Sequence, residues 1–264
     1  RYYEKGFFKT NQKSIKLVNL INENIIKPQE KNIKKDAKKH VFQIPDNLRD
    51  ELLNQIFKDF EPTIKELEKF YNNKISIAEI VIRRNYPLNN DDYYKNVIRK
   101  KEMEVYNNYY HIDFYVGAYF KMFINLTDVG SQNGPLHIYD IKTTGDFLKK
   151  FNYNNRFDYE PNEIEDKLKL NCGKKGESLI ADTTKCLHRA GIVKEGYRDI
   201  LFVIFGLVPK TMSSNKSSNT LSYFNNLDSE SLWNQSQNFT KIYKKKNLRQ
   251  TMRLFYNFFV SKIN

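Results

Sequence analysis

The stretch YYHIDFY, residues 109–115, decides how this sequence is read, together with HRAGIVKEGYR, residues 188–198. The first supplies His111 and Asp113; the second supplies His188 and Arg198. On an extended chain, residues i and i+2 share a face. His111 and Asp113 are therefore expected to reach one point from a single strand, with Ile112 turned the other way into packing. Two imidazoles and one carboxylate can hold one face of an Fe(II) ion and leave the opposite face open. Two of the open positions suit a 2-oxo acid, and the last suits O2. Arg198 adds a planar fork of donors matched to a carboxylate.

Outward from these segments the text is strand-like. RDILFVIFGLV (198–208) is a nearly continuous apolar strand, and ESLIAD (177–182) is another after Gly176. ISIAEIVIRR (75–84) alternates apolar and polar and is rich in β-branched residues, as strands are. Aromatic strand-like text continues over 101–127, and SQNGPL (131–136) reads as a turn.

Nearer the start, GFFKT (6–10) is a short strand, and residues 13–26 carry Ile15, Val18, Ile21 and Ile25 at helical spacing. Residues 27–39 read as an exposed connection. Asp46 is placed to cap a helix over 47–57, and Pro62 sits in the first turn of a second helix reaching Tyr71. Residues 145–170 read as an irregular insertion with a helix near 161–169. Residues 211–220 are a polar linker, and 228–263 read as a helical, partly amphipathic tail. Helices, then strands, then helices point to an α+β chain with a mainly antiparallel β sandwich at its heart. A jelly roll is a two-sheet solution that leaves a mouth at one end for a site.

Composition sets outer limits. With 264 residues, 40% of them hydrophobic, the chain can bury a sizeable core. It has no apolar run of about 18 residues, so no membrane span is expected. The opening RYYEKGFFKT shows neither a signal-peptide pattern nor an initiator Met, so the chain reads as a piece of a longer one. Two cysteines, Cys172 and Cys186, are too few for a disulfide framework and fit a reducing, cytoplasmic setting. The net charge is +13, but the 44 basic residues are mostly lysines spread along the chain among many asparagines. Nucleic acid is therefore not the expected partner. The charge reads first as a solvated face, and next as a match for an anionic substrate or surface.

Four segments resemble the phytanoyl-CoA dioxygenase-like group of Fe(II)/2-oxoglutarate-dependent oxygenases. They are YYEKGFFKT with its following helix, HID at 111–113, FINLTDVGSQNGPL at 123–136, and the closing run from Gly176 to Gly206. The resemblance covers roughly residues 1–209. It implies a double-stranded β-helix, or jelly-roll, core with N-terminal covering helices, followed over 210–264 by a linker and a helical extension packed on the same domain. It implies His111, Asp113 and His188 as the iron ligands, Arg198 as the anchor of the co-substrate 2-oxoglutarate, and hydroxylation of a small molecule with release of succinate and CO2. The stretch HIYDIKTTGD (137–146) departs from the group, which often has Gly-Ser-His there, and so it gives no guide to substrate. Asp113, where a halogenase has Ala or Gly, argues against halogenation.

Each assignment has a rival. His111 and Asp113 could form a hydrogen-bonded pair on a sheet surface, His188 could be a satisfied structural residue, and Arg198 could pair with Asp199 or Glu195. His137 is a weaker ligand candidate that could instead touch substrate. Lys121 is a second candidate for the co-substrate. Of Arg83 and Arg84, alternation lets only one face inward. Asp182, Thr183 and Thr184 are candidates for orienting His188, and Cys186 reads as packing. Two other functions stay open: a non-catalytic jelly-roll binder with a basic surface, and a nucleic-acid-directed oxygenase.

Overall fold

In the computed structural model, residues 2–34, 37–88, 106–113, 119–150 and 167–208 are described below. The expected linker and helical tail lie outside these residues, as do most of 89–118 and all of 151–166.

Nine strands form two antiparallel sheets among the described residues. In chain order they are β1 (Phe7–Lys9), β2 (Lys39–Phe42), β3 (Lys74–Asn85), β4 (Tyr119–Asn125), β5 (Leu136–Ile138), β6 (Lys169–Asn171), β7 (Ser178–Ala181), β8 (His188–Ala190) and β9 (Arg198–Val208). The larger sheet runs β1-β7-β4-β9-β3-β2, and the smaller runs β6-β5-β8. An antiparallel bridge between His111 and His188 extends the smaller sheet beyond β8. The architecture is mostly antiparallel and jelly-roll-like.

The long apolar run of β9 follows from its position, because both of its faces are covered. Leu201, Val203 and Phe205 join a core with α2 (Ile15–Ile21), α4 (Asp46–Asp59) and α5 (Glu61–Tyr71), which cover the outer face of the large sheet. On the inner face, Ile200 and Phe202 meet Phe123 of β4 and Leu136 and Ile138 of the small sheet. That inner layer is where the site lies. A third cluster, Tyr110, Ile112, Tyr139, Phe147, Leu148 and Leu187, packs α6 (Ile141–Lys150) on the far side of the small sheet.

Four local expectations need correction. The helix expected over 13–26 is α-helical only to Ile21; a π turn at Asn22–Ile26 follows, with Ile25 and Ile26 both buried. The connection at 27–39 carries the short helix α3 (Lys27–Gln29) and opens β2, an edge strand paired to β3. Asp46 lies inside α4 rather than capping it; Pro45 occupies the cap position with no side-chain bond. Residues 145–170 begin inside α6 and end in β6. Asp140 starts α6, its Oδ1 accepting from the Thr143 N–H at 2.7 Å, as an N-cap does.

Candidate metal centre

His111 and His188 come from distant parts of the chain and are joined through their backbones. His111 N donates to His188 O, and His188 N to His111 O, both at 2.9 Å. This reciprocal pair sets the imidazoles side by side, with ring centroids 4.3 Å apart. Asp113 is held next to them by its N–H, which donates to Thr183 O at 3.0 Å. The stretch 111–113 is not a regular strand: only His111 makes a ladder contact. The i, i+2 geometry still puts Asp113 with His111, and Ile112 turns into the α6 cluster.

The ring orientations are fixed by carbonyls. His111 Nδ1 lies 2.7 Å from Tyr109 O, and His188 Nδ1 lies 2.9 Å from Cys186 O. A carbonyl only accepts, so each Nδ1 carries the proton and each Nε2 keeps its lone pair. Those Nε2 atoms face Asp113: His111 Nε2 is 3.6 Å from Oδ1, and His188 Nε2 is 3.7 Å from Oδ2. One ligand atom from each residue lies within 4.8 Å of the other two. Both imidazoles are buried.

Lys121 of β4 completes the cluster, its Nζ 2.6 Å from Asp113 Oδ2. Burial works against the charged carboxylate of Asp113, but the Lys121 ammonium beside it outweighs burial and holds the carboxyl below its usual range. The donor set is thus two imidazole lone pairs and an ionised carboxylate in a largely buried cluster. It fits a divalent transition-metal ion held on one side.

Arg198 opens β9 on the inner face and is 1% exposed. Its Nη1 donates to Gly134 O at 2.6 Å, whereas Nε and Nη2 have no hydrogen-bond partner among the described residues. Burial, with Arg83 nearby, pushes its guanidinium down to about 9. The expected rival pairing with Asp199 is not made. Asp199 turns to the other face, where Arg84 grips it through Nε at 2.6 Å and Nη2 at 2.7 Å. Arg83, on the inner face, lies with its guanidinium 4.5 Å over the Phe202 ring.

The remaining candidates fall elsewhere. His137 is outside the triad: its Nδ1 is 3.2 Å from Tyr110 Oη and accepts from Arg189 Nε at 3.2 Å. Burial, Arg189 and Arg198 hold this imidazole down at about 3, hence neutral. The His188 ring is held by the Cys186 carbonyl, while Asp182 and Thr184 bond to each other. Asp182 Oδ1 accepts from Thr184 N at 3.1 Å, Lys185 Nζ is 3.1 Å from Oδ2, and together they shape the turn before β8. Cys186 Sγ is packed and donates to Lys5 O at 3.4 Å, while the Cys186 carbonyl holds His188. Backbone carbonyls are invisible to a search by residue type, so Tyr109 and Cys186 were not foreseeable. Thr144 of α6 was also missed. Its Oγ1 accepts from Leu187 N at 2.9 Å and ties α6 to the entry of β8.

No protein-family model matches the sequence, and no curated protein matches it. Solved structures match by fold. HygX from Streptomyces hygroscopicus, with nickel and 2-oxoglutarate bound, superimposes with a TM-score of 0.52 at 9% identity, over 81% of this chain and 86% of that one. The apo form of HygX gives 0.50 at 10% identity, over 81% and 85%. SnoK, a non-heme alpha-ketoglutarate-dependent carbocyclase from nogalamycin biosynthesis, gives 0.50 at 12% identity, over 78% and 81%. At these identities the likeness is one of fold. The chain therefore has a fold used by non-heme 2-oxoglutarate enzymes, and within it a His-Asp-His group able to hold a metal ion. Among the described residues no helix is long and apolar enough to cross a membrane.

Proposed function

We propose that this chain is an Fe(II)/2-oxoglutarate-dependent oxygenase of the phytanoyl-CoA dioxygenase-like group, acting on a small molecule, with hydroxylation the outcome and an anionic substrate the best match to its charge. The observation that carries this reading is the convergence of two Nε2 lone pairs on the Asp113 carboxylate. The sheet order and the fold likeness to HygX support a double-stranded β-helix over residues 1–209.

His111, Asp113 and His188 would hold the iron. When bound, it would couple O2 reduction to oxidative decarboxylation of 2-oxoglutarate, giving succinate, CO2 and an oxidised substrate. The protein's own part is binding and orientation. The Tyr109 and Cys186 carbonyls fix the tautomer of each imidazole and turn both Nε2 atoms toward Asp113. Arg198 anchors the far carboxylate of the co-substrate, because a buried guanidinium with unmatched donors favours an anionic partner. Lys121 keeps Asp113 ionised, and its position at that carboxylate makes it a second co-substrate contact. The layer of Phe123, Ile138, Ile200 and Phe202 keeps water out of the sheet interior.

Ring closure rather than hydroxylation is a second outcome, favoured by the fold likeness to SnoK, which is a carbocyclase. The test is anaerobic addition of Fe(II) and 2-oxoglutarate. A weak visible charge-transfer band is expected, and it is lost in His111→Ala together with succinate release. Folded, iron-loaded protein that gives no band and consumes no 2-oxoglutarate overturns the reading. Product analysis then separates a gained oxygen atom from a lost pair of hydrogens.

A further inference from the structure

Asn85 ends β3 directly across from Arg198 in the register of β3 and β9. It is 0% exposed, and neither Oδ1 nor Nδ2 has a hydrogen-bond partner among the described residues. A buried amide with nothing to bond to is costly. Alternation along β3 explains which way it turns. Arg84 is on the outer face with Asp199, so Arg83 and Asn85 share the inner face with Arg198. Side chains directly opposite on antiparallel strands stand close enough to share a ligand.

The unmatched atoms make a pattern. Arg198 contributes unmatched Nε and Nη2, and Asn85, directly opposite it on the same face, contributes an unmatched Nδ2. Asp199, next to Arg198 in the chain, is already committed to Arg84 on the outer face, and Asp113 is committed to Lys121. An anion with two oxygens can accept all three bonds, two from the guanidinium edge and one from the amide.

We propose that Asn85 is a binding residue for the carboxylate held by Arg198, donating from Nδ2 to one of its oxygens and fixing its rotation. The inference rests on the co-substrate reading of Arg198 and names the residue that completes that anchor. It also separates stability from binding. Asn85→Ala removes an unmatched buried amide, so the protein without co-substrate keeps or gains thermal stability while binding weakens.

The experiment uses iron-loaded, anaerobic protein titrated with 2-oxoglutarate by calorimetry, alongside iron affinity and melting temperature without co-substrate. Asn85→Ala is expected to bind 2-oxoglutarate about tenfold more weakly, as the loss of one hydrogen bond to a charged group implies. Its iron affinity is expected to be unchanged, and it should melt no lower than wild type. Asn85→Asp, whose carboxylate would pair with Arg198 internally, is expected to lose at least about a hundredfold and to melt higher than wild type. Binding by Asn85→Ala within twofold of wild type overturns the proposal. So does a lower melting temperature or a failure to fold, either of which marks Asn85 as structural. Wild-type protein that binds iron but not 2-oxoglutarate overturns the oxygenase reading itself. Wild-type binding with indifferent Asn85 variants overturns this inference alone.

Discussion

Replacing Lys121 with Met tests the electrostatics of the centre directly. Its ammonium lies 2.6 Å from Asp113 Oδ2, where a divalent cation would have to share or take the same carboxylate. Both side chains are about nine-tenths buried, so solvent screens the pair little. Two unit charges at that distance, in a medium of effective dielectric about 20, attract by about 6 kcal/mol. A cation that displaces Lys121 must overcome this, and rehydration of the released ammonium returns most of it. If roughly a fifth remains as a penalty, about 1.3 kcal/mol, metal affinity is held down nearly tenfold. Lys121→Met should therefore bind Mn(II) about tenfold more tightly by calorimetry at neutral pH. The metal-free variant should melt lower, since Asp113 is left charged and unpaired. Unchanged or weaker Mn(II) affinity refutes the reasoning and shows Lys121 helping to aim the carboxylate instead of competing for it.

Other outcomes follow from the same contacts. His188→Ala should lower metal affinity by more than the roughly 10–100-fold that loss of an outer partner costs, read in the same titration. His137, held down at about 3 against an ordinary 6.5, gives a pH signature. Between those values the unfolded chain binds the proton and the folded chain does not, so stability falls as pH drops through that window. His137→Gln should flatten that part of a melting-temperature profile. Arg84→Met leaves the Asp199 carboxylate buried without its partner. It should cost about 3–5 kcal/mol in urea denaturation, and adding Asp199→Leu should recover much of the loss.

Residue type and spacing made the grouping of the candidate site legible, and part of the fold. His111, Asp113, His188 and Arg198 are legible because few residue types bind metals or carboxylates, and because strand alternation says which neighbours share a face. The strands β3 and β9 are legible because their apolar text is long. The helix α6 is not. IKTTGDFLKK contains two threonines and a glycine, all poor helix formers, and the helix exists because Asp140 caps it and Phe147 and Leu148 pack on Tyr110 and Tyr139. Strand β2 is four residues, Lys39–Phe42, with only Phe42 fully buried, so its pattern is too faint to separate from a connection. Asn85 shows a different limit. An asparagine ending a strand reads as a boundary residue, and only the pairing register puts it across from Arg198.

The reciprocal backbone bonds between residues 111 and 188 make the two imidazoles parts of a single crosspiece. Neither ring meets the other until the long excursion between them has closed, so the candidate seat carries the entropy cost of that closure. A cation bound there would behave as a removable rivet across that excursion, slowing escape from the native state rather than hastening arrival. Chelation would then surface first as faster unfolding, with the folding rate little changed.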